Sequence, residues 1–573
     1  MSQWKFVSGR RVWAAVVLLT LVIATPVQTQ QNLRTQAEES NWTAYTRHDN
    51  MIAYMRALQA TTREMRTMSY GKSREGRDLP LAVFARPMVH TPEEALISGK
   101  PILMFQTNVH GGERTQRESI LQLMRELVTP GSEPNKALDQ VILLIAPQIN
   151  PDGFEAGQNG QRGNLWGIDL NRDYIKLEQP EIANVVTNVY HRWYPHMIID
   201  GHNGGARPYN INYVTTSNAS VDQALMDLSN NEIFQLVRKR NEDAGLKAFF
   251  YPGGNAEFWQ GVPHYPRIGM TYATFMNSLG ITFESPGQAM ETGVKSGLIS
   301  YKAVLEWVVA NKQKVLDTVA NARRKTVEMG LMQDQQVMVD MEQVDHDFTV
   351  SYEIPDPANA GQFITVPNGK LRTKPSVLAS RPRPYAYILP REATAAVALL
   401  RQHNITVEVL REPKALTVQA YELKDVFSSA EYDHQGATVV TVAGIHTIER
   451  TFPVGTYVVS TAQMLGRLVA HLLEPESDDN VILWNRMDAW LPTSRIRPTP
   501  TGMVREAWPG RGTGPGPVAA PAAAPPAATA AAPQAGGRGG GRGGGRGGAA
   551  AQPPLIPIFK LMNRTALPTV ILQ

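Results

Sequence analysis

Short unbroken apolar runs alternate with longer stretches in which apolar residues return every three or four positions. The runs are residues 101–105 (Pro-Ile-Leu-Met-Phe), 141–145 (Val-Ile-Leu-Leu-Ile), 196–200 (His-Met-Ile-Ile-Asp) and 280–283 (Gly-Ile-Thr-Phe). A run apolar at consecutive positions is buried on both faces, as in an interior strand. Ile120, Met124, Leu127 and Val128 recur at helical spacing after the first run, and residues 181–194 and 221–244 also read as helices. Helical sequence over 302–332 closes this part of the chain. The alternation predicts an α/β domain over about residues 40–340, its sheet covered by helices on both faces. In such sheets ligands collect beyond the strand ends.

From about Met341 the pattern changes. Pro355, Pro357, Pro367, Pro375, Pro382 and Pro384 punctuate shorter segments. Strands are expected at 386–389, 405–410, 437–442 and 456–459, and helices at 392–402 and 462–473. This predicts a smaller, strand-rich accessory domain over 341–508, with no cluster of acid, base and ligand residues of its own. Residues 509–554 are Ala, Pro and Gly, with Arg538, Arg542 and Arg546 set among glycines. Such a tract buries too little apolar surface to offset the entropy of ordering, and reads as a disordered insertion. Arg-Gly-Gly tracts can bind RNA, but a flexible surface loop is the plainer reading. Residues 555–573 turn apolar again (Ile556, Ile558, Phe559, Leu561, Val570, Ile571) and are expected to pack back on the folded body.

Composition narrows the classes. The 573 residues are too many for one ordinary domain, and 43% hydrophobic against 19% charged indicates a globular bulk. A net charge of +4 is small for this length and gives no sign of a nucleic-acid partner. The chain has no cysteine, which excludes disulfides, thiolate catalysis and cysteine-based metal sites. Residues 1–30 read as an export signal: Lys5, Arg10 and Arg11 precede an apolar run over 12–24 and a polar stretch over 28–31. The run is short for a spanning helix, so membrane contact is expected only through this segment if it stays uncleaved. Export without cysteine suits a periplasmic or secreted protein, and a bacterial origin is inferred.

Candidate chemistry gathers at the strand ends. After the first run comes Asn-Val-His-Gly-Gly-Glu over 108–113, so His110 and Glu113 sit where a buried strand gives way to a helix. Imidazole nitrogen and carboxylate oxygen are good zinc donors, and two glycines let the chain turn tightly between them. Alone, such a pair is usually solvated surface. Further on stand Asn-Pro-Asp-Gly over 150–153, Arg162, and Asp169, Asn171 and Arg172 interleaved with Ile168 and Leu170. An extended chain there would put Asp169 and Asn171 on one face. His202 closes one strand and Glu284 another. Taken singly, His202 could be a core histidine and Glu284 part of a structural network. His191, His196 and His264 read as non-ligands.

The order His-x-x-Glu, Asn-Pro-Asp-Gly, Arg, Asp-x-Asn-Arg, His, Glu resembles the zinc carboxypeptidase (carboxypeptidase A-like) family, over about residues 45–332. The resemblance implies a mixed, mostly parallel sheet and one zinc per chain bound by His110, Glu113 and His202. It implies Asp169 as the carboxylate that orients the first histidine and Arg162 as the arginine facing the oxyanion. Asn171 and Arg172 would grip the substrate's terminal carboxylate, and Glu284 would be the general base. The implied activity is removal of C-terminal residues from peptides by a water activated by zinc. Two histidines, a carboxylate and an open position make the catalytic kind of zinc site, for which carboxypeptidase A is a standard example. Two positions depart from the best-known digestive members: Gly112 stands in place of an arginine, and Asn203 in place of a serine. The tyrosine that covers substrate should precede Glu284, with Tyr265 and Tyr272 as candidates. Two other readings stay open. One is an amidohydrolase acting on a non-peptide or cell-wall amide, indifferent to a terminal carboxylate. The other is a catalytically silent binding protein on the same fold.

Overall fold

Four central parallel strands form where the unbroken apolar runs predict them. The computed structural model describes residues 33–332, 334–431, 434–492, 494–499, 502–507 and 554–572. The expected export signal, and the expected insertion apart from Pro554, lie outside the described residues. The first sheet uses β1 (Met65–Lys72), β2 (Asp78–Phe84), β3 (Ile102–Thr107), β4 (Ile142–Ala146), β5 (Met197–His202), β6 (Ile211–Thr215) and β7 (Ala248–Phe250). After a small hairpin, β8 (Gly253–Gly254) and β9 (Phe258–Gln260), it is completed by β10 (Leu279–Glu284). The order is β1-β2-β4-β3-β5-β10-β6-β7. Strands β4, β3, β5 and β10 run parallel, while β1, β2 and β6 introduce antiparallel pairs, so the sheet is mixed.

Alternate residues of each central strand serve opposite faces. Leu103, Phe105, Met197 and Ile199 join a core with helices α1 (Thr115–Val128) and α2 (Met290–Ala310), through residues such as Leu123, Tyr301 and Val304. Ile102, Met104 and Ile198 join the opposite core with Ile182, Val185 and Tyr190. Helix α3 (Lys312–Met329) follows α2, in place of the single helical run expected over 302–332. The helical stretches over 181–194 and 221–244 form, each interrupted by a five-residue π-helical segment, Val186–Tyr190 and Ser229–Ile233.

The expected change of character near 341 falls inside β11 (Gln336–Val344). Strands β12 (Thr349–Pro355) and β13 (Phe363–Arg372) extend the β8–β9 hairpin into a four-stranded sheet, with Leu371 of β13 opposite Trp259 of β9. Strand β11 pairs with β14 (Lys374–Pro382). A nine-stranded sheet follows, built from β15 (Ala386–Leu389), β16 (Glu408–Leu410), β17 (Lys414–Glu431), β18 (His434–Phe452), β19 (Tyr457–Ser460), β20 (Ser494–Thr499), β21 (Gly502–Ala507), β22 (Leu555–Leu561) and β23 (Thr569–Ile571). Strand β22 lies between β17 and β15, antiparallel to both. Its Lys560 is fully buried, with Nζ 3.0 Å from a carboxylate oxygen of Glu474, which also accepts a 2.8 Å bond from the Tyr387 hydroxyl. Helices α4 (Thr394–Gln402) and α5 (Gly466–Leu473) cover this sheet, and Val397, Leu400, Leu468 and Leu472 join the same core as Met104 and Ile198. The apolar interior thus runs unbroken from the first sheet to the second. Among the described residues, no helix is long and apolar enough to cross a membrane.

Candidate active site

The site stands at the carboxyl edge of the parallel strands. Just past β3, Asn108 takes a left-handed backbone (φ +59°), which Asn tolerates better than most residues. Its side-chain amide donates to the carbonyls of His110 (2.9 Å) and Glu113 (2.8 Å), fixing the turn that carries both. The two glycines have a definite use. A Cβ on Gly111 would stand 2.1 Å from the Gly153 backbone. Gly111 and Gly112 instead donate their amides to the carbonyls of Arg162 (3.2 Å) and Gln161 (2.9 Å). The loop bearing Arg162 therefore lies directly on the His-Gly-Gly-Glu turn.

His202 ends β5 and Glu284 ends β10, and the two are register partners on adjacent parallel strands. Strand alternation places Asp200 on the same face as His202, with Asp200 Oδ2 3.0 Å from His202 Nε2. Asp169 does the same for the other histidine, its Oδ1 lying 2.9 Å from His110 Nε2. His110 is thereby held with its Nε2–H toward the Asp169 carboxylate, and His202 has its Nε2 beside that of Asp200, which leaves both Nδ1 atoms to face the site. Those two Nδ1 atoms face each other at 3.1 Å. Glu113 closes the triangle, Oε1 2.9 Å from His110 Nδ1 and Oε2 2.9 Å from His202 Nδ1. Three lone pairs aimed at one point repel one another unless a cation lies between them. Donors each about 2.1 Å from a tetrahedral ion stand roughly 3.4 Å apart, close to this spacing. The donor set fits one zinc, and it is the single grouping of three or more His, Asp or Glu residues with metal-holding geometry among the described residues.

The electrostatics of these groups follow from burial and neighbours. Burial works to raise the pKa of Glu113 and Asp169, but the histidines and arginines around them hold both well below the usual carboxylate range. Glu284 differs. Burial pushes its pKa up to about 8; His202 opposes the rise, while Glu113 and Asp200 add to it. It is 7% exposed, so it faces the site from a nearly dry position. Gly204 makes room for it, since a Cβ there would stand 2.8 Å from Glu284 Oε2.

Arg162 reaches across the rim, Nε 3.1 Å from Asp169 Oδ2 and Nη1 3.2 Å from Glu113 Oε1, with its side chain 48% exposed. The stretch bearing Asp169 and Asn171 is not extended, as its alternation suggested. It is a 3₁₀ turn over Leu170–Arg172, because Asp169 Oδ1 caps it by accepting the Asn171 amide at 2.8 Å. Both side chains still turn inward, Asn171 Nδ2 lying 3.5 Å from His202 Nε2. Arg172 donates from Nη1 to the Asn171 carbonyl at 2.8 Å.

Sequence reasoning missed two members. Asp200 could have been found from its place two residues before His202 on one strand. The tyrosine is the other. Tyr272 is fully buried and bonded to His191 Nε2 (2.9 Å) and His403 Nδ1 (2.8 Å), and Tyr265 lies over the guanidinium of Arg267, 4.6 Å from the ring centre. The tyrosine whose charged surroundings are Glu284, Glu113, Arg162 and Arg172 is Tyr251, its hydroxyl pKa raised chiefly by burial. No local signal marks Tyr251. The three histidines read as non-ligands have other partners: His191 pairs with Tyr272, His196 accepts the Ile102 amide at 3.1 Å, and His264 lies 3.3 Å from Asp478.

The chain is similar in part to known proteins. A profile of the zinc carboxypeptidase family matches residues 51–244. Carboxypeptidase 2 of Trichophyton tonsurans is 25% identical over 464 residues, covering 76% of this chain and 83% of that protein. Carboxypeptidase D of Drosophila melanogaster is 32% identical over 172 residues, covering 26% of this chain and 11% of that protein. A metallo-carboxypeptidase structure from Burkholderia cenocepacia superposes with a TM-score of 0.37 at 18% identity, covering 46% of this chain and 69% of that one. The bacterial origin expected from export without cysteine finds no support in these relatives by sequence, which come from a fungus and an animal.

Proposed function

We propose that the chain is a metallocarboxypeptidase of the zinc carboxypeptidase family, which it resembles over residues 51–244, and that it removes C-terminal residues from peptides with one zinc held by His110, Glu113 and His202. The observation that carries the reading is the convergence of two Nδ1 lone pairs and the Glu113 carboxylate on one point, with Glu284 in register beside His202. Zinc bound there supplies a Lewis acid that polarises a carbonyl and lowers the pKa of water.

The protein's own residues do the rest. Glu284 is the base, taking a proton from the attacking water and handing it to the leaving amine. Arg162, at the exposed rim, meets the charge that develops on the carbonyl oxygen. Arg172 and Asn171 receive the terminal carboxylate, the guanidinium fork matching its two oxygens. Asp169 and Asp200 keep the histidines in the ligand tautomer. Tyr251, whose charged neighbours are Glu284, Glu113, Arg162 and Arg172, is the tyrosine that would meet the substrate. The apolar run over 12–24 behind basic residues supports an exported protein.

A peptide-library digest read by mass spectrometry, with and without chelator, tests the proposal. Stepwise loss of C-terminal residues that stops with chelator is the expected result. Internal cleavage, or cleavage indifferent to chelator, would refute it.

A further inference from the structure

The accessory region holds two segments of the catalytic half that meet at Asn171. One is 264–269. Asp479, fully buried, accepts the Arg267 amide at 3.0 Å, and its other oxygen lies 2.8 Å from Arg267 Nε. Two residues later the Gly269 amide donates to Asn171 Oδ1 at 2.9 Å. The other segment is 172–178, which leads directly away from Arg172. Three successive carbonyls there face donors from the accessory region. His403 Nε2 lies 2.9 Å from the Ile175 carbonyl, Gln402 Nε2 3.3 Å from that of Leu177, and Arg486 Nη2 3.4 Å from that of Lys176. Arg486 also pairs with Glu178 at 2.9 Å.

We propose that Asp479, His403 and Arg486 are positioning residues: the accessory region is a clamp that presents Asn171 and Arg172 to the terminal carboxylate of the substrate. The inference rests on the carboxypeptidase reading of those two residues. Its physical basis is the shortness of the 3₁₀ turn that bears them. A three-residue turn has too few bonds of its own to fix a side chain, and a receptor for a carboxylate must be held before the ligand arrives if affinity is not to be spent on ordering it. Here the turn is fixed at both flanks, by Gly269 on one side and the 175–177 carbonyls on the other. The zinc ligands are positioned chiefly by Asp169, Asp200 and Asn108; the clamped turn meets them through Asp169 and through Asn171 Nδ2, 3.5 Å from His202 Nε2, while Asp479, His403 and Arg486 make no hydrogen bond or ion pair with them among the described residues. The clamp should therefore govern substrate binding and leave metal binding alone.

Full-length wild type, Asp479→Asn and Arg486→Gln are compared on one peptide with a free C-terminus and on its C-terminal amide, measuring KM, kcat and zinc content. The expected result is a rise in KM for the free acid of at least about tenfold in Asp479→Asn, the loss of a charge-assisted contact. Arg486→Gln should show a smaller rise. In both, kcat should stay within about threefold and zinc should be unchanged, with KM for the amide little altered. A selective wild type whose two variants keep the wild-type KM would overturn the clamp alone. So would a loss of kcat together with zinc, which marks general scaffolding. Equal wild-type cleavage of acid and amide would remove the carboxypeptidase reading and the clamp with it. If Asp479→Asn does not fold, Arg486→Gln, at a partly exposed position, decides by itself.

Discussion

Asp200 Oδ2 lies 3.0 Å from His202 Nε2, the counterpart on β5 of the contact between Asp169 and His110. Each of the two histidines, on different elements, thus has a buried carboxylate beside its Nε2. The purified protein should hold about one zinc per chain, the usual count for a catalytic site of this kind. His202→Ala should lose it. Asp200→Asn should keep the site but weaken zinc binding by about 10- to 100-fold, the usual effect of removing such a partner, read by chelator competition. Unchanged affinity in Asp200→Asn would deny the contact its role.

Glu284 is register partner to His202 but takes no part in the donor triangle. Glu284→Gln should keep zinc and substrate binding and lose at least about 10²-fold in kcat, the lower end for general acid–base catalysis. Steady-state kinetics on one peptide checks this, and an unaltered kcat would move the base elsewhere.

Arg172 adjoins Asn171 and contributes to the surroundings of Tyr251. Arg172→Ala should lose about 2–5 kcal/mol on free-acid peptides, the cost of breaking a desolvated charge pair, or roughly 30- to 4,000-fold in kcat/KM. Gly112 supplies no second arginine, so the lower half of that range is expected. Amidated peptides should be poor substrates for the wild type and little changed in the variant.

His191 and His403 are neutral in the folded chain, burial lowering their pKa values to about 3 and about 4. The folded form therefore binds fewer protons than the unfolded one between those values and the ordinary histidine pKa near 6.5. Stability held by each is full above about pH 6.5 and is lost as pH falls toward 4, with a slope of at most about 1.4 kcal/mol per pH unit for each residue. The stability gap between wild type and His403→Asn should shrink over that window in urea unfolding. A gap independent of pH would mean that His403 titrates normally.

Lys560 and Glu474 are both fully out of solvent. Lys560→Ala leaves the Glu474 carboxylate without its counter-charge and should cost about 3–5 kcal/mol, as breaking one side of a buried pair does. Lys560→Met with Glu474→Gln together should cost much less. Denaturant midpoints of the single and double variants separate the two cases.

The central strands were legible because each is apolar at consecutive positions, and the donors because His110, Glu113, His202 and Glu284 fall at strand ends in a telling order. Local chemistry explains the misreading at Asp169: its side chain caps its own turn, which alternation of residue type does not reveal. Tyr251 and the clamp were not legible for a different reason. They depend on contacts such as Arg267 with Asp479, whose partners are far apart in the chain and carry no shared pattern. The long pairing of β17 with β18 extends well beyond the apolar run at 437–442, because one face of that ribbon is polar. Strand β16 is shorter than the expected 405–410 and begins only at Glu408.

The position of β22 between β17 and β15 also sets an order of events during synthesis. The first sheet is complete once residue 284 has left the ribosome, and domains fold as they emerge. The second sheet cannot close until residue 561 has followed, after the whole tract over 508–553 has been made. A nascent chain would thus carry all of the zinc donors for some time before the region that grips Asn171 and Arg172 had taken shape.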